Sequence, residues 1–549
     1  MTAPITARTA LLFAPLPHTA GDLNARMERQ DWLDRVPRHG PNTWVASAMQ
    51  VTFDVVHTVG EAREKLGAHY YSALLLDCRH LPHDDRDPAS QFSEVEALLQ
   101  ALTDERDRER RYPARRIAAL IGDPSSERTD RLLFRLGERH LGGFVRDRSL
   151  RPRLGAPERR AAEDRFVREV WTLIRGLFRQ RRGGRKALCA SGGGISGVYY
   201  ELGVLKCMND AFGAVDVRDF DLYFGISAGA IVTSLLANGI HIDEIIESMG
   251  GRTSDPAMRL RLGLSHLNVA DIGSRAAFAV NSSARWLGDV LRGRDDFSAG
   301  ALLNQYAALF GPIFRNDILE TRLRDLFTRS GRTNDFRRLK RSLFIGATDQ
   351  DRREHVLFGD EENGHVPISR AVQASTAIHP FFRSVEIDGR FYTDGFVTRT
   401  SNIGQAIERG ADLVFVIDPF LPLISDTPGY NARQGNLRVI EQDFKTISWT
   451  RYEQVSDELL RRNPEVNAYT FVPSNRMREW MAQNPLGSRN FDVIVCEAYK
   501  STWRRLAQLE YKLAGELAAH GITLDLEPVR RRVDALTEAG RPELDLLLG

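Results

Sequence analysis

Two successive α/β units followed by a mainly helical extension are the architecture this sequence predicts, on three observations. From Thr9 to about Val170, short apolar strand-like pieces alternate with helical ones. The alternation resumes at Lys186 with a strand, a glycine-rich loop and a helix, and beyond Pro419 the pattern turns mainly helical. Alternation of this kind implies open, mostly parallel sheets with helices on their faces.

The N-terminal strands are expected at Thr9–Ala14, Met49–Val56, Ala73–Asp77, Arg116–Ile121 and Gly143–Val145, with helices over Glu61–Leu66, Phe92–Leu102 and Arg128–Leu136. The run Tyr71-Ser72-Ala73-Leu74-Leu75-Leu76-Asp77-Cys78-Arg79 resembles the third strand of a two-component receiver domain. Ile117–Gly122 and Gly142–Val145 resemble later strands of that flavodoxin-like fold. The resemblance makes Asp77 the candidate phosphoacceptor. The pattern is incomplete, however. The magnesium-holding acidic pair expected after the first strand is missing, since nothing acidic follows Leu11-Leu12-Phe13-Ala14-Pro15 until Asp22. Arg146 stands where the family keeps a lysine. Residues 1–170 therefore read as a degenerate receiver-like scaffold used for docking or dimerisation, with Asp77 an ordinary strand-end aspartate.

Residues 171–185 read as a basic linker, ending in Arg179-Gln180-Arg181-Arg182-Gly183-Gly184-Arg185. Neither this stretch nor the charged run 104–111 is interleaved with aromatics, and the net charge is only +2, so no nucleic-acid partner is expected. Cys78, Cys189, Cys207 and Cys496 are scattered without paired spacing, which points to reduced, buried thiols and neither disulfides nor a zinc site. Met1–Pro15 lacks the order of a signal peptide, and no apolar run approaches the roughly 20 residues that span a bilayer. A cytoplasmic location, with peripheral membrane contact, is the expectation.

In the central part, Lys186–Ala190 is strand-like, Ser191–Gly197 is glycine-rich, and Val198–Phe212 has helical periodicity. Gly225-Ile226-Ser227-Ala228-Gly229 then lies between an apolar run, Phe220–Phe224, and a helix-like run, Ala230–Leu236. This is the strand–turn–helix setting of a G-x-S-x-G nucleophile elbow, with glycines allowing a sharp turn and Ser227 over a helix N-terminus. The loop Gly192-Gly193-Gly194-Ile195-Ser196-Gly197 also fits the dinucleotide fingerprint G-x-G-x-x-G. Both readings aim backbone N–H groups at negative charge. The nucleotide reading needs an acidic residue at the end of the next strand, whereas Asp216, Asp219 and Asp221 precede or begin it.

Serine needs a proton acceptor. A Ser…Asp…His order is available through Asp418 and His520, although His520 precedes Gly521 at a helix end, where histidine commonly caps. Asp394-Gly395, after Phe391-Tyr392-Thr393, is the other candidate, read either as a base that burial makes competent or as a hairpin-turn residue.

Ser191–Gly197, Gly225–Gly229 and Asp394–Gly395, in this order, resemble the three signatures of patatin-like phospholipases, and Gly346–Asp349, Ala374–Ile378 and Gly410–Asp412 are similar to further blocks of that family. The resemblance spans about 186–421. It implies a three-layer α/β/α domain and an acyl hydrolase with a Ser–Asp dyad, no catalytic histidine, no metal and no cofactor. Carried over, Ser227 is the nucleophile, Asp394 the base, and Gly192, Gly193, Gly194 and Ile195 the oxyanion hole, with Gly197, Gly225, Gly229 and Gly395 the motif glycines. Three residues depart from the family pattern: Ser196 replaces a basic residue, Phe396 a small one and His379 a proline. Residues 422–549 are expected to form a mainly helical extension, with helices over Leu437–Leu460 and Val493–His520, one apolar strand Ala468–Pro473, and the stripe Val495, Tyr499, Trp503, Leu506, Leu509, Leu513 and Leu517 packing on the central sheet. The segment Ala276–Phe314, with Trp286 and Phe310, reads either as ordinary helix packing or as a cap or lipid-contacting piece. The expected function is hydrolysis of a lipid or other fatty-acyl ester; the alternatives are a nucleotide-binding oxidoreductase using Gly192–Gly197 and a non-catalytic regulator.

Overall fold

Successive side chains of a strand point to opposite faces of a sheet, and the first strand buries both of its faces. In this computed structural model, which describes residues 6–549 apart from 38–39, 47–48, 70, 80–90, 104–111, 113, 124–126, 139–140, 178–183, 214, 254, 256–315, 380, 400, 464–465 and 484–489, β1 (Thr6–Phe13) sends Ala10 and Leu12 into one core and Leu11 and Phe13 into another. Around it stand α1 (Pro17–Glu28), β2 (Asp34–Arg35), β3 (Thr43–Ala46), β4 (Met49–Val56), α2 (Val59–Ala68), β5 (Ala73–Cys78), α3 (Gln91–Thr103), β6 (Ile117–Gly122), α4 (Glu127–Glu138), β7 (Gly143–Asp147) and α5 (Ala156–Leu177). The 7-stranded sheet runs β2-β3-β4-β1-β5-β6-β7. Its parallel part, β4-β1-β5-β6-β7, has the 2-1-3-4-5 order of flavodoxin-like folds. Helices α1 and α5 supply one core and α2 and α3 the other. The short antiparallel β2 and β3, and α1, were not expected.

The expected boundary at 170 falls inside α5. Phe166, Val167, Val170, Trp171 and Ile174 recur at three- and four-residue spacing and are all buried, so the stripe carries the helix to Leu177. Of the expected linker, 171–177 is thus helix and Arg185 already opens a strand.

The chain divides into two compact units, Met1–Arg182 with Gln508–Ala519, and Gly183–Ala507 with His520–Gly549. The second holds β8 (Arg185–Ala190), α6 (Gly194–Ala211), β9 (Phe212–Gly213), β10 (Leu222–Ile226), α7 (Ala228–Ala237), α8 (Ile242–Met249), α9 (Asp317–Phe327), β11 (Ser342–Asp349), β12 (His355–Phe358), α10 (Ile368–Ser375), β13 (Val385–Ile387), β14 (Arg390–Asp394), α11 (Ile403–Glu408) and β15 (Ala411–Ile417). After these come α12 (Asn436–Arg462), β16 (Asn467–Phe471), α13 (Asn475–Gln483), α14 (Phe491–Ala518), β17 (Thr523–Leu524), α15 (Glu527–Glu538) and α16 (Leu544–Leu548). Its 8-stranded sheet follows β13-β14-β11-β10-β8-β15-β16, with β12 also on β11. The strands β11, β10, β8, β15 and β16 are mutually parallel, and β12, β13 and β14 form an antiparallel edge.

In the C-terminal part, the strand expected over Ala468–Pro473 is β16, and it joins the central sheet by pairing with β15 from Leu413↔Asn467 to Ile417↔Phe471. The start of α14 runs against α6: a Cβ on Gly203 would lie 2.4 Å from the Val495 carbonyl and 2.6 Å from the Ala498 side chain. Residues 256–315 hold the Ala276–Phe314 segment, which lies outside the described residues. Among the described residues, no helix is long and apolar enough to cross a membrane.

Candidate active site

The parallel strands β10, β8 and β15 end side by side, and their carboxyl ends carry Ser227, Ser191 and Asp418. Ser227 links β10 to α7 at φ 54° and ψ −116°, a conformation that costs a non-glycine residue about 1–3 kcal/mol. The surroundings hold it there. A side chain on Gly225 would fall 2.5 Å from Ala230 Cα, and one on Gly229 would fall 2.2 Å from the Ala190 carbonyl, so both positions exclude a Cβ. The Ser227 N–H donates to Ser375 Oγ (2.8 Å), and that hydroxyl donates to the Gly346 carbonyl (2.6 Å). Ser375 ends α10 and is fully buried.

Ser375 is therefore a strut beneath the elbow, and the sequence showed it only as one member of a resembling block. Ser375→Ala orphans a backbone N–H at a strained turn. The expected outcome is a Tm drop corresponding to about 1–3 kcal/mol and roughly a tenfold loss of kcat, read by thermal melting and by ester hydrolysis.

Asp394 comes from the antiparallel edge of the sheet. Its β14 neighbours pair with β11 (Ala347↔Asp394, Thr348↔Thr393), and Gly395 follows where a Cβ would meet the Gly346 carbonyl at 2.3 Å. The hairpin turn expected around it lies elsewhere: Asp388 (φ 51°) and Gly389 (φ 74°) make the two-residue turn between Ile387 and Arg390. Asp394 instead ends the strand, 1% exposed, and opens a short 3-10 turn in which its carboxylate accepts from the Phe396 N–H (3.0 Å). Burial pushes its carboxyl up to about 7, against the opposing pull of the Phe396 N–H and of the Ser227 side chain. The fold thus brings near each other two residues 167 positions apart in the chain (394 − 227).

The glycine loop stands over this pair. A Cβ on Gly192 would come 3.4 Å from Ser227 Cβ and 3.9 Å from its Oγ. Gly193 caps α6, and Gly194 begins it in the left-handed region at φ 62°. The first N–H groups of a helix have no intrahelical partner, so the start of α6, two residues after Gly192, offers donors that the helix itself does not use. Gly193 and Gly197 both face Pro419, leaving no room for side chains between α6 and the end of β15. Ser196 is buried. Phe396 stands at the wall of the site, its Cβ 3.8 Å from where a Gly192 Cβ would be, and its ring packs on Phe420 (5.3 Å) and Phe444 (6.3 Å).

The histidine alternative does not assemble. His520 Nε2 lies 3.2 Å from Asp412 Oδ1, near the start of β15, whereas Asp418 is at the opposite end of that strand. His379 bonds Thr393 and Ser384, and His355, which burial holds down at about 4, bonds Thr398 and Asn402. The nucleotide reading fails on geometry as well. Asp221 binds Lys186 at the starts of β8 and β10, and Asp216 binds Arg218, so neither reaches the carboxyl ends where the glycine loop lies. Among the described residues, no group of three or more His, Cys, Asp or Glu is placed to hold a metal. All four cysteines are free and buried.

Asp77, at the end of β5, is buried and clamped. Arg79 donates to both its oxygens (Nε and Nη2, each 2.9 Å) and also to Asp22 (2.8 Å) and the Thr19 carbonyl (2.7 Å), while Arg26 bridges Asp22 and Asp147.

An α/β/α sheet with a strained serine elbow, a glycine loop over it and a buried aspartate against it defines a hydrolase-type site. Residues 188–407 match the family model for Patatin-like phospholipase, so the chain carries a patatin-like phospholipase domain. Over 60 residues it is 43% identical to the cUMP-AMP-activated phospholipase of Escherichia coli, a match covering 11% of this chain and 18% of that relative's length. Among solved structures it is similar to VipD of Legionella pneumophila (14% identity, 58% of this chain and 67% of that one, TM-score 0.27). It is also similar to a chain of the full-length ExoU–SpcU complex of Pseudomonas aeruginosa (16% identity, 67% and 71%, TM-score 0.21).

Proposed function

We propose that this protein is a serine acyl hydrolase that cleaves fatty-acyl esters, phospholipids foremost, through a Ser227–Asp394 dyad. The observation that carries this reading is a fully buried Asp394, its carboxyl poised near 7, in a site that also holds the strained Ser227 elbow and the glycine loop. An ordinary carboxylate is a weak base for serine, and burial is what makes it competent near neutral pH. Ser227 Oγ attacks the ester carbonyl as Asp394 takes its proton, and the Gly192–Ile195 loop binds the oxyanion. Collapse of the tetrahedral intermediate passes the proton from Asp394 to the leaving alcohol and forms an acyl-enzyme. Water, giving its proton to Asp394, then attacks the acyl carbon, and Ser227 recovers that proton on release of the fatty acid. Phospholipid as substrate is supported by the matching family and by the named activity of the Escherichia coli relative. The test is fatty-acid release from phospholipid vesicles by wild type and by Ser227→Ala: release by the wild type alone supports the reading, and equal release by both refutes it.

Contact with a lipid surface belongs to the same reading. On α12, Ile440, Phe444 and Ile447 lie at i, i+4 and i+7 and are 49%, 51% and 62% exposed, an apolar stripe rather than scattered surface residues. The stripe is continuous with the site: Phe444 packs on Phe396, and Arg451 of the same helix donates to the Phe396 and Val397 carbonyls. Changing Ile440, Phe444 and Ile447 to Ser is expected to lower vesicle hydrolysis about tenfold or more while sparing a monomeric short-chain ester; equal effects on both substrates would remove the lipid-contact role. The N-terminal unit is read as a docking or self-association scaffold, because Arg79 occupies both oxygens of Asp77.

A further inference from the structure

Behind Asp394 a chain of hydrogen bonds leads away from the site, and the proposed reaction leaves it without a role. It begins at the backbone of Asp394 itself: Thr348 of β11, fully buried, donates its hydroxyl to the Asp394 carbonyl (3.0 Å). Thr348 Oγ1 also lies 2.9 Å from Thr398 Oγ1. Thr398 Oγ1 lies 3.1 Å from His355 Nδ1, and His355 Nε2 lies 3.0 Å from the side-chain amide of Asn402. The fold brings these residues together for an identifiable reason. His355 of β12 pairs directly with Thr348, which β14 flanks on its other side through Thr393. Gly346 leaves room for the ring, since a Cβ there would fall 2.7 Å from His355 Cε1. Asn402 stands at the N-cap of α11, where asparagine usually binds the N–H groups of its own helix. It makes no such bond and turns to His355 instead.

The protons along this chain can be assigned one by one. A carbonyl only accepts, and a threonine hydroxyl has a single proton to give. Thr348 gives its proton to Asp394, so the proton between the two threonines comes from Thr398. Thr398 then has none left for the imidazole, and the hydrogen that joins them sits on His355 Nδ1. The competing approach of the Thr398 hydroxyl to the Gly395 carbonyl is longer, at 3.3 Å. His355 Nε2 is left as an acceptor. The buried Asn402 Nδ2, which has no partner, meets it after a half-turn of the amide that exchanges its oxygen and nitrogen. The opposite tautomer leaves two hydroxyl oxygens 2.9 Å apart with no proton between them, and leaves Asn402 Nδ2 orphaned. Burial, and after it the positive charge of Arg399, hold the ring down at about 4, so it keeps a single proton at neutral pH. The geometry points to His355 as a positioning residue: its Nδ1–H heads a one-way hydrogen-bond chain through Thr398 and Thr348 that ends on the Asp394 carbonyl and holds that residue in place. The kinetic consequence rests on the proposed Ser227–Asp394 reading; the chain itself does not.

The experiment compares wild type with His355→Asn, His355→Gln, Thr348→Val and Thr348→Ser on a soluble p-nitrophenyl ester, together with nitrogen NMR spectra of the histidine-labelled full-length proteins. Asparagine places its amide nitrogen where Nδ1 lies, whereas glutamine places its own near Nε2, so only the first can head the chain. His355→Gln and Thr348→Val are expected to lower kcat about tenfold with KM changed less than about twofold. His355→Asn and Thr348→Ser, which keep the donors, are expected to recover most of that loss. In the wild type at about pH 7, the His355 signal, assigned by its absence from both His355 variants, is expected to show a hydrogen on Nδ1 alone. A kcat unaffected in His355→Gln, or equal in His355→Asn and His355→Gln, overturns the positioning role. If His355→Gln fails to fold, the Thr348 variants decide it: equal kcat in Thr348→Val and Thr348→Ser overturns the role. A hydrogen on His355 Nε2 overturns the chain itself. A wild type no more active than Ser227→Ala refutes the hydrolase reading, while the NMR result still decides the chain.

Discussion

Ser227→Ala is expected to lower fatty-acid release at least about 10⁴-fold in kcat and to leave the fold intact. The residual rate over water is what the proposed oxyanion loop and substrate binding would supply by themselves. The fold survives because the strain at φ 54° is held by the turn and not by the hydroxyl: Gly225 and Gly229 admit no Cβ, and the Ser375 strut binds the backbone N–H that alanine retains. Tm is expected to change by less than about 2 °C. One local consequence follows. The Ser227 hydroxyl helps hold the Asp394 carboxyl down against burial, so in the variant Asp394 titrates higher still, which an NMR titration of that carboxyl reads directly.

Asp394→Asn separates catalysis from stability in opposite directions. Turnover is expected to fall at least about 10³-fold, because an amide cannot take the proton that the proposed base accepts. Stability rises above neutral pH, and the sign follows from the direction of the shift. The folded-state carboxyl titrates near 7 and the unfolded one near 3.8, so the fold prefers the protonated form. Below about 4, both states are protonated and the wild type carries no penalty. Between about 4 and 7 the unfolded chain ionises while the folded one resists, and above 7 the penalty is complete, at most about 4 kcal/mol. The side-chain oxygen of the asparagine still accepts from Phe396, so the Phe396 N–H keeps its partner. Melting at about pH 5 and pH 8 is expected to show wild type and variant closest at the lower pH, with the variant more stable at the higher one. The wild-type rate is expected to rise with pH through about 7, since only the ionised Asp394 can act as the proposed base.

Much of this site could be read before any coordinates, and the reason is physical. A strained serine turn needs small neighbours on both sides, and an anion-binding helix start needs bare backbone, so Gly225, Gly229 and Gly192–Gly194 stand out as local patterns. Asp394 showed through Gly395, whose lack of a side chain is demanded by the Gly346 carbonyl. The residues that escaped notice act through tertiary contacts. Ser375 is one small polar residue on a short helix, and only packing places its hydroxyl under the elbow. The fold followed the same division. The long apolar strand Met49–Val56 has its expected bounds, whereas the two- and four-residue strands β2 and β3 have too little periodicity to register. The addition of β16 to the central sheet depends on a parallel pairing across about 50 residues, which no local pattern announces.

The central claim is that Ser227 is a nucleophile activated by Asp394, and covalent labelling of the full-length protein with a fluorophosphonate tests it most directly. The account predicts one adduct per chain, mapped by peptide mass to Ser227, absent from Ser227→Ala, strongly slowed in Asp394→Asn and retained in His520→Ala. An adduct at another residue, or labelling lost in His520→Ala but kept in Asp394→Asn, would contradict it.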